Sequence, residues 1–152
     1  MDDKRTPDLS NPQKIAEACA ALMWKTDKCS QAMGMRLDAV GSGTAMLSMV
    51  VKADMLNGQH NCHGGVMFTL ADSAFAFACN GYNQFTVAQH CSISFLKPAR
   101  EHDTLIATAV ERWREGRSGI YDVTITRNDE VIAEFRGNSR TVRGQMFPDL
   151  QS

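Results

Sequence analysis

Asp72 stands where a carboxylate is expensive. The run His63-Gly64-Gly65-Val66-Met67-Phe68-Thr69-Leu70-Ala71-Asp72-Ser73-Ala74-Phe75-Ala76-Phe77-Ala78-Cys79-Asn80 reads as a helix apolar nearly all round, opened by two glycines and carrying this single acid. A helix hydrophobic on every face is one that other structure must wrap. An ionised Asp inside it is costly unless paired, hydrogen-bonded or in use. One turn away on its own face lie Phe68, Thr69, Phe75 and Ala76. Thr69 can donate a hydrogen bond, and the others only desolvate. Such surroundings raise a carboxylate's pKa toward that of a usable base. A buried Asp that merely accepts bonds from a neighbouring backbone or Arg is the structural alternative.

Gly64 and Gly65 weaken the helix start by about 0.5–1 kcal/mol each relative to Ala. In return they allow close backbone approach, with unpaired N–H groups aimed at whatever sits above the helix end. That suits an oxyanion, a carbonyl oxygen gaining charge during acyl transfer, although a tight loop-to-helix turn would ask for the same glycines. Gly64 and Asp72 are eight residues apart, roughly 12 Å along a helix. Groups that act on one carbon and its oxygen must lie about 3 Å from them, so one subunit can hardly supply both. If both act, the helix of a second subunit runs antiparallel and sets its Asp72 opposite the first Gly64. A two-fold homodimer with paired, shared sites is therefore the expected minimum unit; a homotetramer, a dimer of dimers, is the expected assembly but does not follow from the spacing.

Other clusters carry less. His60, Cys62 and His63 are close together, but their spacing matches neither a Cys-x-x-Cys pair nor a His-Glu-x-x-His helix, and no metal is expected. Cys62-His63 and His90-Cys91 are poor nucleophile–base pairs because neighbours in a strand point to opposite faces. The nine methionines read as adaptable core.

The elements that must position Asp72 follow from periodicity and turn chemistry. Residues 1–10 are polar and expected to be flexible. Asn11-Pro12 starts a helix, with Asn as N-cap and Pro at the first position. Ile15, Ala18, Cys19, Leu22 and Met23 form its apolar stripe, and Gly34 is its expected stop. Residues 35–40 and 44–52 read as strands around the turn Gly41-Ser42-Gly43, and residues 54–62 as an irregular segment. After the central helix come strands at 85–97, 103–113, 120–127 and 131–143. Cys91, Ile93 and Phe95 alternate with Ser92 and Ser94 along the first of these, which places one face inward. Tyr121, Val123 and Ile125, and likewise Val131, Ala133 and Phe135, form buried faces in the last two. Sequential antiparallel strands in a meander around one buried helix, with an additional N-terminal helix, make an α+β domain over residues 11–143, with a flexible tail at 144–152.

A chain of 152 residues is one domain by size. Its net charge of -1 offers no footprint for nucleic acid or an acidic membrane. Met1-Asp2-Asp3-Lys4-Arg5 has no apolar core behind it, no run approaches a membrane span, and five cysteines form an odd set without secretory context. A cytoplasmic protein with reduced thiols is the expectation.

Leu56-Asn57-Gly58, then His63-Gly64-Gly65, then Leu70-Ala71-Asp72, with Ser94-Phe95-Leu96-Lys97-Pro98 closing a later strand, resembles the signature of the hotdog-fold acyl-CoA thioesterases. Within them it is most similar to the phenylacetate-degradation type. The resemblance covers most of the chain and implies an antiparallel sheet wrapped round one "sausage" helix. It implies that Asp72 is the catalytic carboxylate, acting as general base toward water or as nucleophile on the thioester. It implies that the Gly64 N–H binds the thioester oxygen, with Gly65 beside it, that Asn57 orients water or the carboxylate, and that His63 is a polar neighbour of the carbonyl. Related enzymes often carry a Ser or Thr where this chain has Ala88, so Gln89 and His90 are the remaining polar candidates there. The substrate would be an acyl-CoA, by resemblance an aryl one such as phenylacetyl- or hydroxyphenylacetyl-CoA. No cofactor is expected beyond the coenzyme A carried by the substrate. Thr69, Gln89, Lys97 and Arg100 are expected to contact substrate, with Arg117, Arg136 and Arg140 as further cations for its phosphates. An acyl-thioester hydratase or dehydratase on the same fold, using His63, and a non-catalytic acyl-CoA-binding domain are the alternatives.

Overall fold

The computed structural model describes residues 8–148. In chain order these form α1 (Pro12–Thr26), α2 (Lys28–Ala32), β1 (Arg36–Gly41), β2 (Thr44–Val50), α3 (Gly64–Cys79), β3 (Thr86–Phe95), β4 (Thr104–Glu115), β5 (Ser118–Arg127) and β6 (Glu130–Thr141). All six strands join one antiparallel sheet in the order β1-β2-β4-β5-β6-β3. The sheet wraps α3, as the hotdog resemblance implies.

Three hairpins close on two-residue turns whose chemistry is local. Ser42-Gly43 joins β1 to β2 with Gly43 at φ +73°, and Gly116-Arg117 joins β4 to β5 with Gly116 at φ +57°. Asn128-Asp129 joins β5 to β6 with both residues at positive φ. That pattern matches the strand twist and favours Asn, Asp and Gly.

The core is the seam between α3 and the inner face of the sheet. Met67, Leu70, Ala71, Ala74, Phe75, Phe77 and Ala78 are buried against Leu47, Met49, Leu105, Ala107, Val123, Ile125, Ala133 and Phe135. The helix comes close because small residues line the sheet beneath it. A Cβ on Gly137 would stand 2.7 Å from the Phe75 ring, so only glycine fits there. Tyr121 is buried, and its hydroxyl donates to Glu111, as does that of Tyr82.

Several expectations change. The single helix from residue 11 to Gly34 is two helices, broken at Asp27, which caps α2 by accepting from the Ser30 N–H at 2.9 Å. The later strands are not a sequential meander, since β3 skips to the far edge beside β6 and leaves β4 beside β2. As an edge strand β3 does not bury the face expected of it: Phe95 stays exposed, and Cys91 and Ile93 are half-buried. In β6 a register shift opposite Ile125 and Thr126 turns Ile132 inward and Val131 outward. Residues 144–147 are held by Asn83, whose side chain pairs with both backbone groups of Phe147. Residues 1–7 and 149–152, the greater part of the two expected flexible ends, lie outside the described residues. Among the described residues no helix is long and apolar enough to cross a membrane.

Candidate active site

The start of α3 is built by His63. Its backbone sits at φ -60°, ψ 135°, and its Nδ1 accepts from the Gly65 N–H at 2.9 Å. The His63 carbonyl takes the N–H groups of Val66 and Met67. Of the first four amides of the helix, Gly64 alone has no acceptor among the described residues. That is the free donor an oxyanion requires, at the positive end of a helix. The Phe95 ring lies over it, 2.9 Å from where a Gly64 Cβ would stand.

Gly64 opens onto a cleft of about 350 Å³ shared with Asn57, Asn61, Met67, Phe95 and Lys97. The Asn57 Oδ1 is occupied locally by the N–H groups of Gln59 and Asn61, which leaves its amide N–H groups to donate. The Asn61 Oδ1 is buried without a partner among the described residues. Lys97 lines the cleft, and its Nζ lies 3.2 Å from Glu130 in an exposed pair. Arg100 is exposed nearby in sequence, and its backbone N–H donates to Asp103.

Asp72 lies two turns further along the same helix, half-buried. Burial raises its pKa above the ordinary carboxylate value, and the negative charge of Asp27 adds to the rise. Thr69 does not serve it as a donor, because its hydroxyl donates to the Gly65 carbonyl at 2.8 Å. Among the described residues the one side-chain hydrogen-bond donor that reaches Asp72 is the Cys91 thiol, 4.0 Å from Oδ1. Burial pushes that thiol up to about 11, so it stays protonated at neutral pH. A desolvated acid with one weak donor is poised to take a proton.

The structure thus gathers Gly64, Gly65, His63, Asn57 and Lys97 at one end of α3 and sets Asp72 and Thr69 apart along it. Gln89 is exposed on β3 at a register shift, away from the cleft. Arg136 is engaged by Asp122 at 2.7 and 2.9 Å. Arg117 and Arg140 belong to the end of the sheet where β3 begins, whereas Gly64 meets its end at Phe95. Among the described residues no cluster of His, Cys, Asp and Glu could hold a metal ion.

Sequence reasoning did not place Asp27 or Phe95 beside the candidate residues, and it weighed Cys91 only as a nucleophile and as part of a buried strand face, not as a neighbour of Asp72. Only Asp27 left a local signal, an Asp three residues before Ser30 that reads as a second helix start.

A free amide at a helix start, with a basic carboxylate two turns on, suits attack on an acyl carbonyl. A family model described as the thioesterase superfamily matches residues 59–134. The chain belongs to that superfamily. Among its thioesterase relatives, an Escherichia coli protein named acyl-coenzyme A thioesterase PaaI is 42% identical over 82% of this chain and 90% of its own. The solved structure of the E. coli PaaI protein, described as from the phenylacetic acid degradation operon, superposes with a TM-score of 0.87 at 40% identity. It covers 89% of this chain and 99% of that one. A Thermus thermophilus structure described as a mutant of phenylacetic acid degradation protein PaaI gives a TM-score of 0.75 at 30% identity, over 76% of this chain and 100% of that one. The thioesterase relatives thus span both the α3 start and the Asp72 turn.

Proposed function

We propose that this thioesterase hydrolyses acyl-CoA, with aryl-acyl thioesters as its preferred class, to the free acid and coenzyme A. The observation that carries the reading is the lone free amide of Gly64 on the same helix as a half-buried Asp72 with a raised pKa. In this reading the thioester carbonyl oxygen takes the Gly64 N–H. Asp72 either deprotonates the attacking water or attacks the carbonyl itself. Asn57 donates from its amide to the water or to the carboxylate. The leaving thiol, with a pKa near ~8.5, departs as thiolate without a strong general acid. One base and one oxyanion donor then suffice. The aryl preference is taken from the likeness to the E. coli PaaI structure described as from the phenylacetic acid degradation operon, and the exposed Phe95 ring over Gly64 offers a face on which an aryl group can stack.

The two groups belong to different subunits in this proposal. Gly64 and Asp72 are about 12 Å apart along α3, too far to serve one carbonyl. Two features support pairing. Gly65, Thr69, Asp72 and Ala76 form a stripe on α3 that the chain's own sheet leaves partly open. Beside it, β3 is an unpaired sheet edge with Val87 and Phe95 exposed, the kind of edge that a second chain satisfies. A two-fold dimer that joins these surfaces would run the two α3 helices antiparallel, and two such dimers would make the tetramer. The free thiols fit a reducing, cytoplasmic compartment.

Thiol release from a panel of aryl- and alkyl-CoAs tests the reading, with wild type and Asp72→Ala. Loss of release in the variant, with substrate still bound, supports it. Tight binding without turnover in the wild type favours a binding module, and a fully active monomer removes the shared site.

A further inference from the structure

The junction of α1 and α2 carries a buried polar chain that neither helix needs for its own sake. Asp27 Oδ2 accepts from the Ser30 hydroxyl at 2.6 Å, and Ser30 Oγ lies 2.8 Å from Ser73 Oγ. Ser30 is fully buried and Ser73 is 9% exposed. A serine has one proton to give. Ser30 gives its own to the ionised Asp27, so in the second bond Ser73 is the donor. The chain Ser73 to Ser30 to Asp27 therefore runs from the residue after Asp72 to a carboxylate on another element.

We propose that Asp27 is a positioning residue for Asp72, holding the α3 turn through Ser30 and Ser73 while presenting a second negative charge to the catalytic carboxylate. This rests on the reading of Asp72 as the base or nucleophile. Capping of α2 requires only the Ser30 N–H on Asp27 Oδ1. The two buried hydroxyls add desolvation that an alanine pair would avoid, and they tie α2 to α3 at the turn that carries Asp72. The groups facing Asp72 are few. From α3 comes Cys79, from β3 Cys91, and from the α1–α2 junction Asp27. Both thiols are held neutral by burial, pushed up to about 12 and about 11. Burial is the larger cause of the raised Asp72 pKa, Asp27 is the one charge that adds to it, and no cation among the described residues offsets it.

Asp27→Asn isolates the charge. Its amide oxygen still caps Ser30, and its NH2 donates to Ser30 Oγ, which then donates to Ser73, so the chain survives with its direction reversed. Thiol release measured as kcat/KM against pH is expected to place the acid limb of Asp27→Asn at lower pH than that of wild type, with KM held. Ser73→Ala is expected to lower kcat about ten-fold through loss of orientation, with the limb in place. Asp27→Ser, another good cap without charge, repeats the pH test should the amide variant misfold. Coincident acid limbs for wild type and the Asp27 variants, with Asp72→Asn inactive, would overturn the role of Asp27 and leave the base intact. Wild-type turnover in Asp72→Asn would instead overturn the reading of Asp72.

Discussion

Removal of the Gly64 N–H without disturbance of the helix is the sharpest test of the oxyanion donor. Proline does this, since it lacks the N–H yet is favoured at the first helical position. The preceding residue is already suited to it: His63 sits at φ -60°, ψ 135°, the extended region that a following proline requires. Gly64 itself is not at positive φ. The added ring meets Phe95, whose nearest atom is 2.9 Å from the Cβ position, but Phe95 is an exposed side chain that can turn aside. Gly64→Ala makes the same contact while it keeps the N–H, and so serves as the control. Because the other three amides of the first turn are already taken, no neighbour can replace the lost donor. One oxyanion donor is worth 10²–10³ in kcat, or about 2.7–4 kcal/mol. Gly64→Pro is therefore expected to lose kcat by about that factor relative to Gly64→Ala in steady-state thiol release, with both variants folded by circular dichroism. A kcat for Gly64→Pro within about three-fold of the alanine control would refute the assignment, since it corresponds to less than about 0.7 kcal/mol.

Three further outcomes are expected. Asp72 binds its proton more tightly when folded, so the stability it contributes is full below the unfolded carboxylate value and is lost as pH rises through the raised folded one. The Tm of Asp72→Asn relative to wild type should accordingly increase as pH is raised through that window, and a difference independent of pH would count against the shift. Gly137→Ala drives a methyl into the Phe75 ring at 2.7–2.8 Å in the buried seam and should cost about 1–3 kcal/mol in chemical denaturation. Iodoacetamide at pH 8 should label the exposed Cys29 and spare Cys91, whose thiol is pushed up to about 11. Mass spectrometry reads the sites, and labelling of Cys91 as fast as that of Cys29 would count against the shift.

Features written in local chemistry could be read directly from the amino-acid order. The run from Gly64 to Cys79 marks the buried helix because it is apolar nearly all round. Ser42-Gly43 and Asn128-Asp129 mark hairpins because they tolerate positive φ. The shared-site dimer proposed above rests on the Gly64–Asp72 spacing, a distance legible in the sequence because helix rise is constant. Tertiary structure decided what depends on partners remote in sequence. Whether β3 pairs with β4 or with β6 is a choice among long-range ladders that turn chemistry does not encode, and its place at the edge leaves Phe95 exposed over Gly64. The break at Asp27 answers to the buried Ser30–Ser73 contact across 43 residues as well as to its cap. Which of the two glycines keeps a free N–H was settled by the rotation of the His63 ring, a side-chain torsion on which composition and spacing are silent.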